Sequence, residues 1–139
     1  MKQVIVAGGA GFIGSNLCDV LIGRGDRVIC IDSLVTGSRN NISHLDAHER
    51  FQFIEIDTRQ LRTRDFARFK KIDEIYDLAS PAMVTYVVDH PIEAATANSI
   101  GTINLLELAK AYDATILFAS SSEVYGDPKE HPQKESYWG

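Results

Sequence analysis

The first turn of the chain constrains its fold more than any other feature. Gly8, Gly11 and Gly14 form a G-x-x-G-x-x-G pattern. The apolar run Val4 to Ala7 precedes this pattern, and apolar residues at helical spacing follow it between Phe12 and Ile22. The order predicts a strand, a tight glycine turn and a helix, and it lets bare backbone at the helix N-terminus approach a pyrophosphate. Glycines in such turns also serve packing alone, so the pattern needs support from elsewhere in the chain.

The rest of the chain alternates predicted strands with predicted helices. Four further strands are expected at Arg27 to Ile31, Phe51 to Ile56, Asp73 to Ala79 and Thr115 to Ala119. The longest helix is predicted from Pro91 to about Tyr112. This alternation predicts an α/β, Rossmann-like doubly wound parallel sheet with the strand order 3-2-1-4-5. A ligand of such a sheet binds beyond the carboxyl ends of the strands, beside strand 1.

An acidic residue, Asp32, closes the second predicted strand. It lies near the ~20-residue offset at which a carboxylate accepts hydrogen bonds from the ribose hydroxyls of a dinucleotide. Its charge would repel the 2′-phosphate of NADP, so the pattern favours NAD, although Arg39 in the next loop would soften that discrimination. Strand, glycines and acid together predict that residues 1–139 form one NAD-binding Rossmann domain.

Composition excludes several classes of function. The formal net charge of −5 argues against a sequence-independent nucleic-acid binder. No stretch approaches the ~18 uninterrupted apolar residues of a membrane helix, and the first residues do not resemble a signal peptide, so we expect a cytoplasmic protein. The scattered histidines give no support to a metal site. Cys18 and Cys30 form no C-x-x-C pair and are expected to be reduced and buried.

A polar segment follows the fifth predicted strand. It reads Ser-Ser-Ser-Glu-Val-Tyr-Gly-Asp-Pro from Ser120 to Pro128. A serine hydroxyl at this end of the sheet can polarise a substrate hydroxyl or carbonyl. The same residues are equally typical of a turn.

These segments together resemble the extended short-chain dehydrogenase/reductases, the NAD-dependent epimerase/dehydratase family, and within it the enzymes that decarboxylate UDP-glucuronate. The resemblance covers essentially the whole chain. It rests on Gly8 to Gly14, Asp32, Leu78 to Ala82, Asn98 with Gly101 and Thr102, Ser120 to Pro128, and the tail at 131–133 and 135–139.

The resemblance implies a bound NAD that accepts a hydride from C4 of a nucleotide sugar and returns it after loss of CO2. It implies that Ser121 is the catalytic serine and that Ser122 and Glu123 assist proton transfer or decarboxylation. It also implies that further residues line the cofactor, although Phe12, Ile13 and Leu78 are equally plausible as core residues. These residues are Phe12, Ile13, Ser33, Asp57, Thr58, Leu78, Ala79 and Ser80.

The sequence departs from the family in two ways. The family's Tyr-x-x-x-Lys helix is not reached before Gly139, and we interpret the match of Tyr125 and Lys129 as accidental because Gly126 to Pro128 do not support a helical turn. We therefore expect the chain to be truncated before the substrate-binding half, to be inactive alone, and to self-associate or to pair with a C-terminal half. Thr96 also replaces a family lysine near the substrate.

Alternatives to decarboxylation therefore remain open. A nucleotide-sugar 4-epimerase or 4,6-dehydratase would use the same cofactor half. A catalytically silent NAD(H)-binding or assembly module would need neither the tyrosine nor the lysine.

Overall fold

A computed structural model describes residues 1–138; Gly139, the last residue of the predicted tail motif, lies outside the described residues. The described chain builds one five-stranded sheet in the order β3-β2-β1-β4-β5, with every neighbouring pair parallel. This confirms the predicted fold class and strand order. The strands are β1 (Gln3–Ala7), β2 (Arg27–Asp32), β3 (Phe51–Glu55), β4 (Glu74–Asp77) and β5 (Thr115–Phe118).

The register brings the carboxyl ends of the central strands level with one another. Ala7 at the end of β1 lies opposite Ile31 of β2 on one side and Asp77 of β4 on the other. Residues 4–7 of β1 are fully buried, as expected for a strand covered on both faces of a parallel sheet. The order of the strands reverses beside β1, so this edge of the sheet is where a ligand is expected.

The helices are α1 (Phe12–Gly23), α2 (Val84–Asp89), α3 (Pro91–Thr96) and α4 (Thr102–Tyr112). A π-helical turn, Ala97–Gly101, joins α3 to α4. The predicted helix from Pro91 to Tyr112 therefore has the right extent but is not one regular α-helix. Helix α2 was not predicted, and β4 ends at Asp77 rather than at the predicted Ala79, because Leu78 and Ala79 lie against Gly8 of the glycine turn.

The predicted helix after the glycine turn is present as α1, and only part of its apolar residues face the core. Phe12, Ile13 and Val20 are mostly exposed. The buried residues of α1 are Gly14, Ser15, Cys18, Leu21 and Ile22. The small side chains among them let the first half of the helix pack closely on the sheet.

The long helical segment also buries only part of its apolar residues. Ala94, Leu105, Leu108 and Ala109 are buried, and the last three pack on the sheet with Ile5 and Ile75. Ile103 and Leu106 remain exposed, at 53% and 48%. This exposed apolar face is the kind of surface on which the expected self-association would depend.

The two cysteines agree with prediction. Cys18 of α1 and Cys30 of β2 are free and buried. Both belong to the cluster that packs α1 on the sheet. The hydrogen bond with Cys18 and burial raise the pKa of the Cys30 thiol, so it stays protonated and behaves as a small apolar side chain.

Candidate functional site

The glycine turn is closed to side chains by backbone contacts. Gly8 has a φ of +75°, and a Cβ atom there would lie 2.5 Å from the carbonyl oxygen of Leu78. A Cβ atom on Gly14 would lie 2.2 Å from the carbonyl oxygen of Gly8. Both distances are far below van der Waals contact. Glycine at position 8 therefore lets the turn approach Leu78 and Ala79, and glycine at position 14 lets α1 approach the turn.

The N-terminus of α1 points its amide groups toward the same place. Its N-cap is Gly11, which has no side chain to cap the helix, and the first turn contains no acidic residue. Gly11 donates its own amide hydrogen to the carbonyl oxygen of Gly8, at 3.1 Å. An uncapped helix N-terminus with the positive end of the helix dipole is a suitable site for a phosphate group.

Asp32 connects this turn to the loop after β2. One of its carboxylate oxygens accepts the amide hydrogen of Ala10 at 2.9 Å, and the other accepts that of Leu34 at 2.8 Å. A carboxylate oxygen has two lone-pair directions, so each oxygen keeps one acceptor position for a hydroxyl group. A Cβ atom on Gly37 would come within about 3 Å of both oxygens (2.9 and 3.0 Å), so glycine is required there for the loop to reach Asp32.

Two clefts meet at the glycine turn. The first cleft opens on the β2 and β3 side of the turn, and the second opens on the β4 and β5 side. Five of the predicted cofactor residues line both clefts: Gly8, Gly11, Leu78, Ala79 and Ser80. The predicted residues Asp32, Ser33, Asp57 and Thr58 line the first cleft only.

The first cleft also contains charged residues that the sequence analysis did not assign. Arg59 lies in its wall and donates from Nε to both carboxylate oxygens of Asp57, at 3.0 and 2.9 Å. These hydrogen bonds hold the pKa of Asp57 below its usual value. Arg59 also donates to the Thr96 hydroxyl at 3.3 Å, so the residue that replaces the family lysine anchors this wall to α3. Tyr86 of α2 and Glu93 of α3 complete the cleft.

The predicted residues Phe12, Ile13 and Gly14 line the second cleft. Phe12 is 84% exposed and Ile13 is 67% exposed, so the alternative that they are core residues is wrong. Leu78 lies between the two possibilities, because it lines both clefts and is also packed, partly buried, against the core under α1.

The serine segment follows β5 at the far end of the second cleft. Ser121 lines the cleft and donates its hydroxyl to the Glu123 carboxylate. Ser122 and Glu123 lie in the 3-10 turn Ser122–Tyr125, outside the lining of both clefts. The structure therefore brings Ser121 together with the predicted cofactor residues but leaves the other two at the rim.

The pairing of Tyr125 with Lys129 is accidental, as predicted. The 3-10 turn ends at Tyr125, and Gly126 follows with a φ of +63°. Lys129 instead donates its amide hydrogen to the Tyr137 hydroxyl, at 3.1 Å. The two side chains thus share no helical turn.

The second cleft also contains a buried carboxyl group that the sequence analysis did not assign. Asp77, at the end of β4, is 4% exposed and accepts a hydrogen bond from the Thr102 hydroxyl at 3.0 Å. The sequence signal that could have found it is an acidic residue at the carboxyl end of a strand predicted to lie in the centre of the sheet. Within residues 1–138, no group of three or more metal-ligating side chains is placed to hold an ion, and no helix is long and apolar enough to cross a bilayer.

A match to a known protein family classifies this chain. The profile described as GDP-mannose 4,6-dehydratase matches residues 5–137. The chain belongs to the GDP-mannose 4,6-dehydratase family. This is an extended short-chain dehydrogenase/reductase family, so the predicted recognition is confirmed. Members of this broad group are nucleotide-sugar epimerases, dehydratases and decarboxylases.

Individual relatives of this GDP-mannose 4,6-dehydratase-type chain differ in the reactions they are named for. UDP-glucuronic acid decarboxylase 1 of Arabidopsis thaliana is 47% identical over 137 residues, which cover 99% of this chain and 30% of the relative. The UDP-N-acetylglucosamine 4-epimerase of Methanobrevibacter ruminantium M1, solved with UDP-N-acetylmuramic acid, is 33% identical with a TM-score of 0.83, covering 97% of this chain and 43% of the other.

A third relative was solved with a dinucleotide. It is the UDP-glucose 4-epimerase of Thermus thermophilus in complex with NAD, 33% identical with a TM-score of 0.82, covering 99% of this chain and 43% of the other. The chain therefore spans about a third to two fifths of the length of the relatives it matches.

Proposed function

We propose that residues 1–139 are the NAD-binding domain of an enzyme that modifies nucleotide sugars. The observation that carries the proposal is the pair of clefts joined at a glycine turn that admits no side chain. A dinucleotide has two nucleoside ends and a pyrophosphate between them, and the site has the same three parts. NAD in the family relatives supports this assignment.

The residues of the chain suit the parts of NAD in order. The uncapped N-terminus of α1 would hold the pyrophosphate, and the two free acceptor positions of Asp32 would bind the adenosine ribose hydroxyls. Arg39, the cation that would soften selection against NADP, does not line the first cleft; it pairs with Asp46 and stacks on Phe53 at 4.4 Å. This supports a preference for NAD.

The second cleft would take the nicotinamide end and the adjoining sugar. Bound NAD supplies a reversible hydride acceptor for a sugar carbon. The Ser121 hydroxyl would bind the sugar oxygen that loses its proton, and the Glu123 carboxylate, which accepts from Ser121, would orient that hydroxyl. Ser122 would lie beside them at the mouth.

Within this class, we propose decarboxylation of UDP-glucuronate to UDP-xylose through a 4-keto intermediate as the reaction of the enzyme. Identity of 47% to an Arabidopsis decarboxylase supports it. A nucleotide-sugar 4-epimerase is the second candidate, and similarity to the solved epimerases supports that reaction.

Calorimetric titration of the chain with NAD and with NADP tests the cofactor assignment. We expect NAD to bind more tightly than NADP, and Asp32→Asn to weaken NAD binding because one carboxylate acceptor becomes an amide donor. Glu49→Gln removes the same charge from an exposed residue outside both clefts and should change neither affinity. A folded wild-type chain that binds neither dinucleotide would refute the assignment.

A chimera tests the reaction. Residues 1–139 would replace the matching segment of the Arabidopsis relative, and NMR would follow UDP-glucuronate and UDP-glucose. Formation of UDP-xylose, lost in the Ser121→Ala chimera, would support decarboxylation. Epimerised UDP-glucose without UDP-xylose would favour the epimerase, and NAD binding without any turnover would favour a silent NAD-binding or assembly module.

A further inference from the structure

The carboxyl group of Asp77 is buried without a counter-charge. Its oxygens accept from the Ala79 amide at 3.2 Å and from the Thr102 hydroxyl at 3.0 Å. The neighbouring residues are Ala7 on β1 and Phe118 on β5, and neither of them is charged. Burial raises the pKa of Asp77, and these two hydrogen bonds only partly oppose that effect. A buried acid of this kind costs stability when it ionises, so its presence in a cleft wall calls for a role.

Asp77 also controls a hydrogen bond at the same cleft. The Thr102 hydroxyl lies 3.0 Å from Asp77 and 3.2 Å from the carbonyl oxygen of Asn98, but it has only one hydrogen to donate. An ionised Asp77 takes that hydrogen, whereas a protonated Asp77 can donate to Thr102 and release its hydrogen to Asn98. Asn98 and Thr102 both line the second cleft, so the charge state of Asp77 determines which hydrogen bond the Thr102 hydroxyl makes in the wall of that cleft.

We propose that ionised Asp77 is a positioning residue that makes the second cleft selective for the oxidised, cationic nicotinamide over the reduced, neutral ring. This inference rests on the proposed function, which assigns the nicotinamide to that cleft. Since the described residues around Asp77 supply no opposite charge, a cationic ring in the cleft would be its nearest partner. The reduced ring would receive no such stabilisation.

The experiment compares the affinities of the chain for NAD⁺ and NADH at pH 8. Calorimetry gives the first Kd, and the fluorescence of NADH gives the second. Asp77→Asn keeps the size of the side chain and removes its charge, so the ratio of the NAD⁺ Kd to the NADH Kd should rise on the order of fivefold to tenfold. Glu107→Gln, which removes an exposed charge from α4 outside both clefts, should leave the ratio unchanged.

The pH dependence gives a readout that a merely structural role would not move. In the wild type, the selectivity for NAD⁺ should be present at high pH and fall toward the Asp77→Asn value as Asp77 becomes protonated. Thr102→Val removes a hydrogen bond to the ionised form, so the same change should occur at a higher pH. This second variant also serves if Asp77→Asn does not fold.

The outcomes separate the two proposals. If the wild type binds both dinucleotides and Asp77→Asn changes both Kd values equally or not at all, the role of Asp77 is refuted while the NAD site stands. If the wild type binds neither dinucleotide, both the proposed function and this inference are refuted. A changed ratio in Asp77→Asn and an unchanged one in Glu107→Gln would support both.

Discussion

The same substitution at the two ends of α1 should have opposite effects on stability. In Gly14→Ala, the new methyl group would lie 2.2 Å from the carbonyl oxygen of Gly8 and 2.7 Å from the Cα atom of Gly9. Both are backbone atoms, so the turn itself has to move. We expect a loss of about 1–3 kcal/mol, typical of overpacking. In Gly23→Ala, the methyl group would meet nothing within 4 Å, and we expect a gain of about 0.4–1 kcal/mol from reduced freedom of the unfolded chain.

Urea unfolding followed by circular dichroism measures both free energies, and calorimetry measures the effect on NAD binding. For a chain of this size, the Gly14→Ala loss corresponds to a fall in Tm of roughly 3–12 °C. NAD binding should weaken in Gly14→Ala and stay unchanged in Gly23→Ala, which lies at the far end of the helix from both clefts. Equal stability of the two variants would show that the close contact at Gly14 is not tight.

Three further substitutions test other contacts. Asp57→Asn should lower the free energy of unfolding at pH 7 by less than about 1 kcal/mol. The difference from the wild type should vanish as the pH falls through the depressed pKa of Asp57, and a pH-independent difference in urea unfolding would contradict this. Asn104→Ala should cost about 1–2 kcal/mol in the same assay, because its amide donates to the carbonyl oxygens of Thr58 at 2.8 Å and Arg59 at 3.0 Å; an unchanged midpoint would contradict it. Leu106→Glu should reduce self-association in sedimentation velocity without changing Tm, and equal sedimentation of both chains would refute a role for that exposed face.

The sheet and the glycine turn could be predicted from sequence because local signals determine them. The strands β1 and β2 are short runs rich in β-branched residues, and the alternation of strands with helices leaves few chain paths. The position of Asp32 at the carboxyl end of β2 then follows from the length of one β-α-β unit. These features need no knowledge of packing between distant residues.

The inward faces of the helices could not be predicted in the same way. In α1, close packing on the sheet selects small residues such as Gly14 and Cys18, while Phe12 and Ile13 line a cleft. Hydrophobic spacing alone therefore does not separate the residues that face the core from those that line the cleft. Asp77 was missed because its role depends on a partner far along the chain: the Thr102 hydroxyl that it accepts from is 25 residues away. Arg59 pairs with the nearby Asp57, but its place in the cleft wall depends on the distant Thr96.

The π-helical turn at Ala97–Gly101 makes the number of residues in this segment as important as their identity. A π turn accommodates one residue more than an α turn. The extra residue rotates the preceding helix by about 100° relative to the following one. This phase shift lets Ala97 face the first cleft and Asn98 the second, while Gly101 packs against Thr58. Deleting a single residue here would restore a regular α-helix and rotate α3, which carries Glu93 of the first cleft, relative to α4. A side chain at Gly101 would meet the Thr58 hydroxyl at 2.4 Å, so this segment constrains both its length and the residue at its end.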